Sequence, residues 1–392
     1  RSMTIFDYKY LTERHLKGFD TYKYNCIDNS PISVYISHPF WNFIVEFYPR
    51  WLAPNVLTLG GWILVMGCFF LQSYLDYNLD RNSLGSSNPI PDWFWLLASI
   101  CTFAAHTMDG TDGKQSRRIG ASGPTGEMFD HGLDSWSTVP FTITIFSVFG
   151  QGLFSVSPIR LLCILISVQV VFIVSHWEKY NTGVLFLSWG YDASQYGLAI
   201  VYLWTYFVGF EWYKFYVTPF ATFADVFELG FYLCCLGSLI MSFSNMYTSY
   251  HDGTFKQSSL NEAIRPILST ILLYGASIYW ASKGSVIEKD PRMYFFTMGT
   301  VFSNIACRLI ISQMSSTRAE LSNNLVYIYV LAVILSIFII PSWELTILRI
   351  ISLIILSSHV HYGICIVRQL CDHFNIYAFD VSYLNKKDNK RN

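Results

Sequence analysis

Charged residues are scarce in this sequence. Asp, Glu, Lys and Arg make up 14% of its 392 residues, while hydrophobic residues make up 52%. A soluble domain ordinarily carries about 25% charged residues, so the composition excludes an ordinary soluble protein and indicates a polytopic membrane protein. The formal net charge of -1 argues against a nucleic-acid partner, because proteins that bind duplexes present a strongly basic face.

Paired cysteines are missing as well. The nine cysteines are scattered, mostly within apolar stretches, and none belongs to a C-x-x-C pair or lies at metal-binding spacing from a histidine. The sequence therefore predicts neither a disulfide framework nor a zinc site. It also contains no internal repeat, no low-complexity linker and no break in composition, which favours a single membrane domain.

Long apolar stretches dominate the chain instead. A helix needs about 20 apolar residues to cross the hydrocarbon layer of a membrane. Ten stretches qualify, at residues 54–76, 92–116, 127–149, 157–177, 195–212, 224–248, 263–282, 292–314, 323–341 and 344–370. We expect an all-α polytopic membrane protein with about ten transmembrane helices, divided into an N-terminal segment 3–53, a catalytic membrane domain 54–370 and a tail 371–392.

An aromatic segment precedes the first span. Its sequence, SVYISHPFWNFIVEFYPRWLAP, is interrupted by Pro39, Pro49 and Pro54, which favours an amphipathic helix lying in the membrane interface. A soluble cap packed on the helix bundle is the alternative.

Basic residues in short loops indicate the orientation of the chain. The loop 77–91 has only Arg81, whereas cations concentrate after the second stretch and in the tail: Lys114, Arg117, Arg118, Lys386, Lys387, Lys390 and Arg391. With an even number of spans, both termini and the loop after the second stretch face the cytosol. The loop that contains Lys283, Lys289 and Arg292 disagrees with this assignment.

Carboxylates gather where the second and third stretches face each other, in DGTDGKQSRRIGASGPTGEMFDHGLD. Asp109 and Asp112 are three positions apart, so they share one helical face. Asp130 and Asp134 are four positions apart and do the same. Four converging carboxylates repel one another without cations, and oxygen ligands of this kind suit Mg²⁺ or Mn²⁺ better than Zn²⁺. We predict that the four aspartates bind Mg²⁺ as a pair of ions, an arrangement known from phosphorus chemistry.

Small and basic residues in the same stretch fit a phosphate ligand. Gly113, like Gly110 and Gly126, removes a side chain where helix ends approach each other or where a phosphate must reach the backbone. Arg117 offers a forked donor for phosphate oxygens. Lys114 either adds positive potential for the substrate or serves only as a cation of a cytosolic loop.

These residues resemble the signature of the CDP-alcohol phosphotransferases, which are integral membrane enzymes that make phospholipids. The signature covers Asp109-x-x-Asp112-Gly113-x-x-Ser116-Arg117, then eight residues, then Gly126-x-x-x-Asp130-x-x-x-Asp134. The family usually has Ala at the position of Ser116. The segments PFWN, WLAPNVLT, FDHGLDSW, SHWEKYNTGVLFLSWGYD, QMSST and HVHYG are similar to the eukaryotic choline and ethanolamine phosphotransferases, most of all to the ethanolamine branch.

The resemblance implies an Mg²⁺-dependent transfer of phosphoethanolamine from CDP-ethanolamine to the hydroxyl of a diacylglycerol, giving phosphatidylethanolamine and CMP. A dual-specificity or choline-preferring enzyme that uses CDP-choline is the alternative within the family, because spacing does not identify the head-group contacts. The resemblance further implies an endoplasmic reticulum or Golgi membrane, with the active site facing the cytosol. Families that resemble this one often form homodimers, so a homodimer stays open.

The lipid hydroxyl must lose a proton, and His131 and Asp134 are the two candidates for accepting it. A carboxylate bound to a metal is a poor base, whereas histidine is suited to proton transfer near neutral pH. We therefore expect His131 to be the base. Asn55 resembles a family position that contacts the nucleotide, although an amide there also caps a helix. Glu127 is a further candidate for contacting the nucleotide or a water molecule beside the metals.

Other polar residues lie outside the acidic stretch. Trp177, Glu178 and Tyr180 are candidates for recognising the amine of the head group, with an aromatic belt at the membrane interface as the alternative. We expect four more residues to make contacts within the helix bundle: Asn304, Arg308, His359 and His361.

A divalent-ion-binding transporter is the alternative from a different class of protein. Ten spans and charges inside the membrane also fit transport. A transporter, however, places its charges near the midplane in paired halves, whereas this chain concentrates them once, at one edge. The location of charge therefore favours an enzyme.

Overall fold

The computed structural model describes residues 4–384 and is mostly helical. Its α-helices are α1 Glu13–Asp20, α2 His38–Val45, α3 Pro54–Leu75, α4 Asp92–Ile119, α5 Pro124–Phe146, α6 Pro158–Thr182, α7 Gly190–Val208, α8 Phe223–His251, α9 Leu260–Ile264, α10 Leu268–Lys283, α11 Val286–Lys289, α12 Pro291–Met314, α13 Asn324–Ile334 and α14 Glu344–Phe374. The strands are β1 Cys26–Ile27, β2 Leu185–Phe186, β3 Tyr216–Thr218 and β4 Ala221–Thr222. The first two strands pair in parallel and the last two form an antiparallel hairpin.

Each of the ten predicted transmembrane stretches coincides with a helix in the described part of the chain, which confirms the all-α membrane fold. Five helical segments are long and apolar enough to cross a membrane by length and composition: Pro54–Leu75, Pro158–Thr182, Phe223–His251, Pro291–Met314 and Pro341–Phe374. One predicted bound differs at the acidic stretch, where α5 begins at Pro124 rather than at residue 127. Its first turn is polar, so hydropathy alone does not detect it.

Proline marks the first position of four of the long helices: Pro54 in α3, Pro124 in α5, Pro158 in α6 and Pro291 in α12. Proline suits this position because the N–H group that it lacks would have no partner within the helix. At the other end of α4, Gly120 has a φ of 74°, a left-handed conformation that glycine adopts without strain. The chain therefore turns sharply between α4 and α5, and the two polar helix ends face each other.

The centre of the bundle is α12. Nearly all of its residues are buried, and it packs against α5, α6 and α14. Gly299 allows the close approach of α5, because a Cβ atom at this position would overlap the side chain of Val139. At the periphery, α8 exposes Leu229, Leu233 and Ile240. Such an apolar surface on a helix long enough to span a membrane is suited to contact with lipid.

The aromatic segment before the first span is helical. A π-helical turn at Ser33–Ser37 continues into α2, which packs against α4. Trp41 lies buried in that contact, while Phe43 and Phe47 are exposed. The segment therefore has a buried face and an exposed face, which agrees with the predicted amphipathic helix.

In the loop that disagrees with the predicted orientation, Lys283 and Lys289 are exposed, whereas Arg292 is buried. Its guanidinium donates to the backbone carbonyls of Asp76 and Tyr77 at 2.8 and 3.0 Å, so it joins the start of α12 to the end of α3. A cation with such a structural role gives little information about which side of the membrane its loop faces. The tail cations Lys386, Lys387, Lys390 and Arg391, which also entered that argument, lie outside the described residues.

The N-terminal segment and the residues after α14 lie at the end of the bundle that contains the acidic stretch. The N-terminal segment is bound to α14 by two ion pairs, Asp7 with Arg368 and Asp20 with His373, both at 2.7 Å. After α14, Asn375 adopts a left-handed conformation with a φ of 52°, and the chain turns back along the bundle.

Candidate active site

The four aspartates of the predicted metal site converge where α4 ends and α5 begins. Ligand atoms of Asp109, Asp112 and Asp130 all lie within 4.8 Å of one another. Asp130 also belongs to a second group with His131 and Asp134, again within 4.8 Å. The helical faces inferred from the spacing of the aspartates therefore meet, and Asp130 is shared between the two groups.

The donor set of this cluster fits divalent cations. The Oδ1 atom of Asp130 is buried and has no hydrogen-bond partner among residues 4–384. A buried carboxylate oxygen without a partner is costly, and a cation supplies the missing interaction. Two divalent ions would also balance the four negative charges. The cluster thus has the oxygen ligands, the spacing and the charge to hold a pair of hard cations.

Two hydroxyl groups from other helices hold the aspartates of α4. Thr58 of α3 donates to Oδ2 of Asp112. Tyr191, at the start of α7, donates to Oδ2 of Asp109 at 2.9 Å. Each bond leaves the other carboxylate oxygen available for a cation. Sequence analysis did not assign either hydroxyl a role, because neither lies at helical spacing from the aspartate that it contacts.

The glycines of the stretch permit close approaches. A Cβ atom at Gly110 would overlap the indole ring of Trp41 from α2, whereas at Gly126 it would lie 3.5 Å from Oδ1 of Asn55. At Gly113 it would lie 3.4 Å from the guanidinium of Arg117. Gly110 therefore allows a helix to approach closely, and Gly113 keeps the region beside Arg117 open.

Most of the predicted substrate-binding residues line one cavity of about 1190 Å³. Asn55, Gly113, Arg117 and Glu127 all lie on its wall together with the four aspartates. Lys114 is the exception, since it is not among the lining residues in the described part of the chain. Its ammonium group donates to Oδ1 of Asn42 at 2.8 Å, because its position on α4 directs it towards α2.

His131 lies between the metal cluster and a carboxylate. Its Nδ1 is 3.9 Å from Oδ2 of Asp134, and its Nε2 is 3.9 Å from Oε1 of Glu127. The ring packs edge-on against buried His176, with centroids 5.1 Å apart. These contacts place one nitrogen of the imidazole near the aspartates and the other near Glu127.

Glu127 takes part in a compact buried network. Its Oε1 accepts from Tyr22 and from Lys179, both at 2.6 Å, and Lys179 also donates to the Tyr22 hydroxyl at 2.7 Å. Burial, with the adjacent Glu127 carboxylate, raises the pKa of Tyr22 above its ordinary value, so this phenol remains protonated. Sequence analysis missed Tyr22 and Lys179, although Lys179 lies within the segment SHWEKY that it singled out.

The cavity changes character away from the aspartates. Its far wall is apolar and comes from three helices, with Val171 and Phe172 on α6, Val201 on α7, and Phe227 and Phe231 on α8. A single chamber therefore joins a polar, acidic end to an apolar end. Such a chamber can hold one charged and one lipidic reactant.

The three residues considered for head-group recognition do not line this cavity within residues 4–384. Trp177 donates to the carbonyl of Ala263 at 2.5 Å, buried Glu178 accepts from Asn245 at 2.8 Å, and the Tyr180 hydroxyl accepts from the backbone N–H of Ala319 at 3.2 Å. They connect α6 to its neighbours rather than contributing to this cavity.

The predicted bundle contacts are present. His359 lies 3.4 Å from the amide of Asn304, and His361 is hydrogen-bonded to the Tyr10 hydroxyl at 2.9 Å. Arg308 donates to Oδ1 of Asn304 at 3.1 Å.

Comparison with known proteins gives consistent matches. The profile of the family described as CDP-alcohol phosphatidyltransferase matches residues 51–227. The chain is 42% identical to ethanolaminephosphotransferase 1 of Homo sapiens over 381 residues, which is 95% of each chain, and 43% identical to that of Mus musculus over 382 residues, again 95% of each. It is also 30% identical to cholinephosphotransferase 1 of Rattus norvegicus over 289 residues, 72% of this chain and 69% of that one.

Proposed function

The chain belongs to the CDP-alcohol phosphotransferase family, and on this basis we propose that it transfers phosphoethanolamine from CDP-ethanolamine to 1,2-diacylglycerol. The products are phosphatidylethanolamine and CMP. The relatives named for ethanolamine match 95% of the chain, whereas the rat relative named for choline matches 72% of it. This difference supports CDP-ethanolamine over CDP-choline as the donor.

The observation that carries the proposal is the single cavity with two chemical ends. A CDP-alcohol has a pyrophosphate that needs cations and polar donors, and these requirements match the end lined by the aspartates and Arg117. A diacylglycerol has one hydroxyl and two long hydrocarbon chains, and the wall of Val171, Val201 and Phe231 suits the chains. The two reactants then meet near Asp130 and Asp134.

Asp109, Asp112, Asp130 and Asp134 are the proposed ligands of two Mg²⁺ ions. When bound, Mg²⁺ neutralises the pyrophosphate, which reduces repulsion of the incoming oxygen and stabilises the departing CMP. Arg117 forms a fork for phosphate oxygens, and Asn55 contacts the nucleotide from the start of α3. Lys114 is assigned to the packing of α4 against α2 rather than to the substrate.

His131 is the proposed general base. In this role the imidazole carries its proton on Nε2, 3.9 Å from Glu127, and directs the lone pair of Nδ1 towards Asp134 and Asp130 at 3.9 and 4.0 Å. As the lipid oxygen bonds to the phosphorus of phosphoethanolamine, its proton moves to Nδ1. The bond from that phosphorus to the bridging oxygen breaks, and CMP leaves with the electron pair.

Turnover by the purified protein tests the function. With CDP-ethanolamine, diacylglycerol and Mg²⁺, we expect CMP and phosphatidylethanolamine in equal amounts, with Asp112→Asn weakening the response to Mg²⁺ or removing activity. A folded protein that releases no CMP would contradict the enzyme and favour the transporter, which ion flux into liposomes would reveal. Parallel assays with CDP-choline decide between the two amines, since faster turnover of CDP-choline would overturn the ethanolamine preference.

A substitution at position 131 tests the base. His131→Ala should abolish phosphatidylethanolamine formation while leaving CDP-ethanolamine binding nearly unchanged, because the imidazole moves a proton but does not hold the pyrophosphate. Binding is measured by calorimetry on the same preparation. His251→Ala, at the exposed end of α8, is the control and should retain turnover. Activity retained in His131→Ala would reassign the base to Asp134.

We further propose that the protein resides in an endoplasmic reticulum or Golgi membrane with the cavity mouth on the cytosolic side. The cations Lys114, Arg117 and Arg118 at that end support this orientation. Protease protection of a tag placed after residue 392 in sealed microsomes tests it, since a protected tag would contradict a cytosolic tail.

A further inference from the structure

The segment after α14 forms part of the wall of the candidate active site. Five of its residues line the cavity: Ile376, Tyr377, Ala378, Val381 and Tyr383. We call residues 376–383 the C-terminal strap. The strap lies outside the part of the chain that the family profile matches, residues 51–227.

Contacts with α14 and α5 set the course of the strap. Its direction is set by the left-handed turn at Asn375 and by a backbone hydrogen bond from Ile376 to the carbonyl of Cys371 at 3.0 Å. Phe379 packs edge-on against Phe129 on α5, with ring centroids 5.7 Å apart. Phe129 directly precedes the proposed metal ligand Asp130. The strap is therefore anchored beside the acidic cluster by a ring that does not itself line the cavity.

The N-terminal segment supplies lining residues as well. Tyr22 and Tyr24 line the same cavity, and the Lys179 ammonium lies 5.3 Å from the centroid of each ring. The segment continues into β1, which pairs with β2 next to the cavity. Aromatic residues from both terminal segments thus contribute to the wall of a cavity whose acidic end lies at the edge of the bundle.

The chemistry at this site needs water to be excluded. Water can attack the same phosphorus as the lipid hydroxyl: its oxygen bonds to phosphorus, the bond to the bridging oxygen breaks, CMP leaves with the electron pair, and the proton of water goes to His131. The products would be CMP and phosphoethanolamine. The diacylglycerol hydroxyl comes from the apolar end, whereas water enters from the polar end, and closing an active site suppresses such hydrolysis.

We propose that the C-terminal strap determines which nucleophile the site accepts, by covering the polar end of the cavity so that the lipid hydroxyl reacts in place of water. Its cavity-lining side chains are aliphatic or aromatic, so they fill space without adding a charge. The inference rests on the proposed transferase function.

Two variants test the strap. The first is Phe379→Ala in the full chain, which removes the anchor on Phe129, and the second ends at Asn375. The matched controls are Phe47→Ala, which removes an exposed ring from the edge-on pair with Phe43, and a chain that ends at Leu384. All are assayed with CDP-ethanolamine and Mg²⁺, with and without diacylglycerol, for CMP, phosphoethanolamine and phosphatidylethanolamine.

We expect both strap variants to release CMP and phosphoethanolamine severalfold faster than the intact chain when diacylglycerol is absent. With diacylglycerol present, they should release more CMP than the phosphatidylethanolamine they form, whereas both controls keep the two products equal. A general loss of structure would lower both products rather than change their ratio. Should the chain that ends at Asn375 fail to fold, Phe379→Ala decides the question.

Equal amounts of CMP and phosphatidylethanolamine in the strap variants, without added hydrolysis, would overturn the role of the strap and leave the transferase function standing. An intact chain that releases no CMP with diacylglycerol present would overturn the transferase function and this inference with it.

Discussion

At the scale of single residues, the candidate site depends on contacts that orient its ligands. Asp112 is held by Thr58 and Asp109 by Tyr191, so each carboxylate of α4 has one oxygen bonded to a hydroxyl group. Residues that hydrogen-bond to a metal ligand without contacting the metal themselves tune the affinity for the metal. The energetic effect of these hydroxyl groups should therefore appear in cation binding as well as in turnover.

Tyr191→Phe tests this role of a hydroxyl group. Losing the bond to Asp109 should weaken binding of a divalent cation by about 10-fold or more, because the carboxylate is no longer fixed towards the cluster. Titration with Mn²⁺, followed by electron paramagnetic resonance without substrate, measures the affinity. Tyr196→Phe, on the same helix and hydrogen-bonded to Ser37 at 3.1 Å, is the control. Equal Mn²⁺ affinity in both variants would contradict the assignment.

The buried ion pair of Glu127 and Lys179 leads to a prediction about stability. Lys179→Met should destabilise the protein by about 3–5 kcal/mol, because the Glu127 carboxylate stays buried without its cation. Thermal unfolding in detergent measures the loss. Lys114→Met removes only the hydrogen bond to Asn42 and should have little effect. If Glu127→Gln does not recover part of the stability lost in Lys179→Met, an unpaired carboxylate is not the cause.

At the scale of helices, the contact of α2 with α4 joins the N-terminal segment to the metal cluster. Trp41 packs against Gly110, which directly follows Asp109, and its ring lies edge-on to His106, with centroids 5.3 Å apart. A shift of α2 would therefore change the position of Asp109, a proposed metal ligand.

Gly110→Ala tests this contact. The added methyl group would overlap the Trp41 ring, and overpacking of this kind costs about 1–3 kcal/mol. We expect lower thermal stability and lower turnover, with part of both restored by Trp41→Leu, which makes room for the methyl group. Gly67→Ala on α3 is the matched control, since no atom lies within 4 Å of its added Cβ. Full activity in Gly110→Ala would show that α2 can move without disturbing the cluster.

The positions of the helices and the faces of the aspartates could be predicted from the sequence because both depend on local periodicity. The contacts that complete the site could not. Tyr22 reaches Glu127 across 105 positions, Tyr191 reaches Asp109 across 82, and Lys179 reaches Glu127 across 52. Helical spacing gives no information at such separations. The same applies to Lys114 and Glu178, which bind Asn42 and Asn245 on other helices.

At the scale of the whole molecule, the acidic cluster brings like charges together where two helices of the bundle meet. Four carboxylates meet between α4 and α5, and their mutual repulsion opposes the packing of these helices. A ligand that binds only the folded chain stabilises it. Cations should therefore contribute to stability as well as to chemistry.

Removal of divalent cations tests this coupling. We expect added Mg²⁺ to raise the Tm of the purified protein by several degrees and a chelator to reverse the change, because bound cations relieve the repulsion among the aspartates. Differential scanning fluorimetry at constant ionic strength measures the shift, with Na⁺ as the control for screening. Asp112→Asn should reduce the response to Mg²⁺. A Tm that does not depend on Mg²⁺ would argue against cation binding by these carboxylates.

The attachment of the N-terminal segment to α14 has a consequence for how the protein is made. Asp7 and Asp20 bind Arg368 and His373, which follow them by 361 and 353 positions along the chain, so these contacts form only after α14 has been synthesised. Tyr22, which follows in that segment, reaches Glu127 only once it is docked. A nascent chain in the translocon therefore completes the wall of its cavity only after α14 has been inserted.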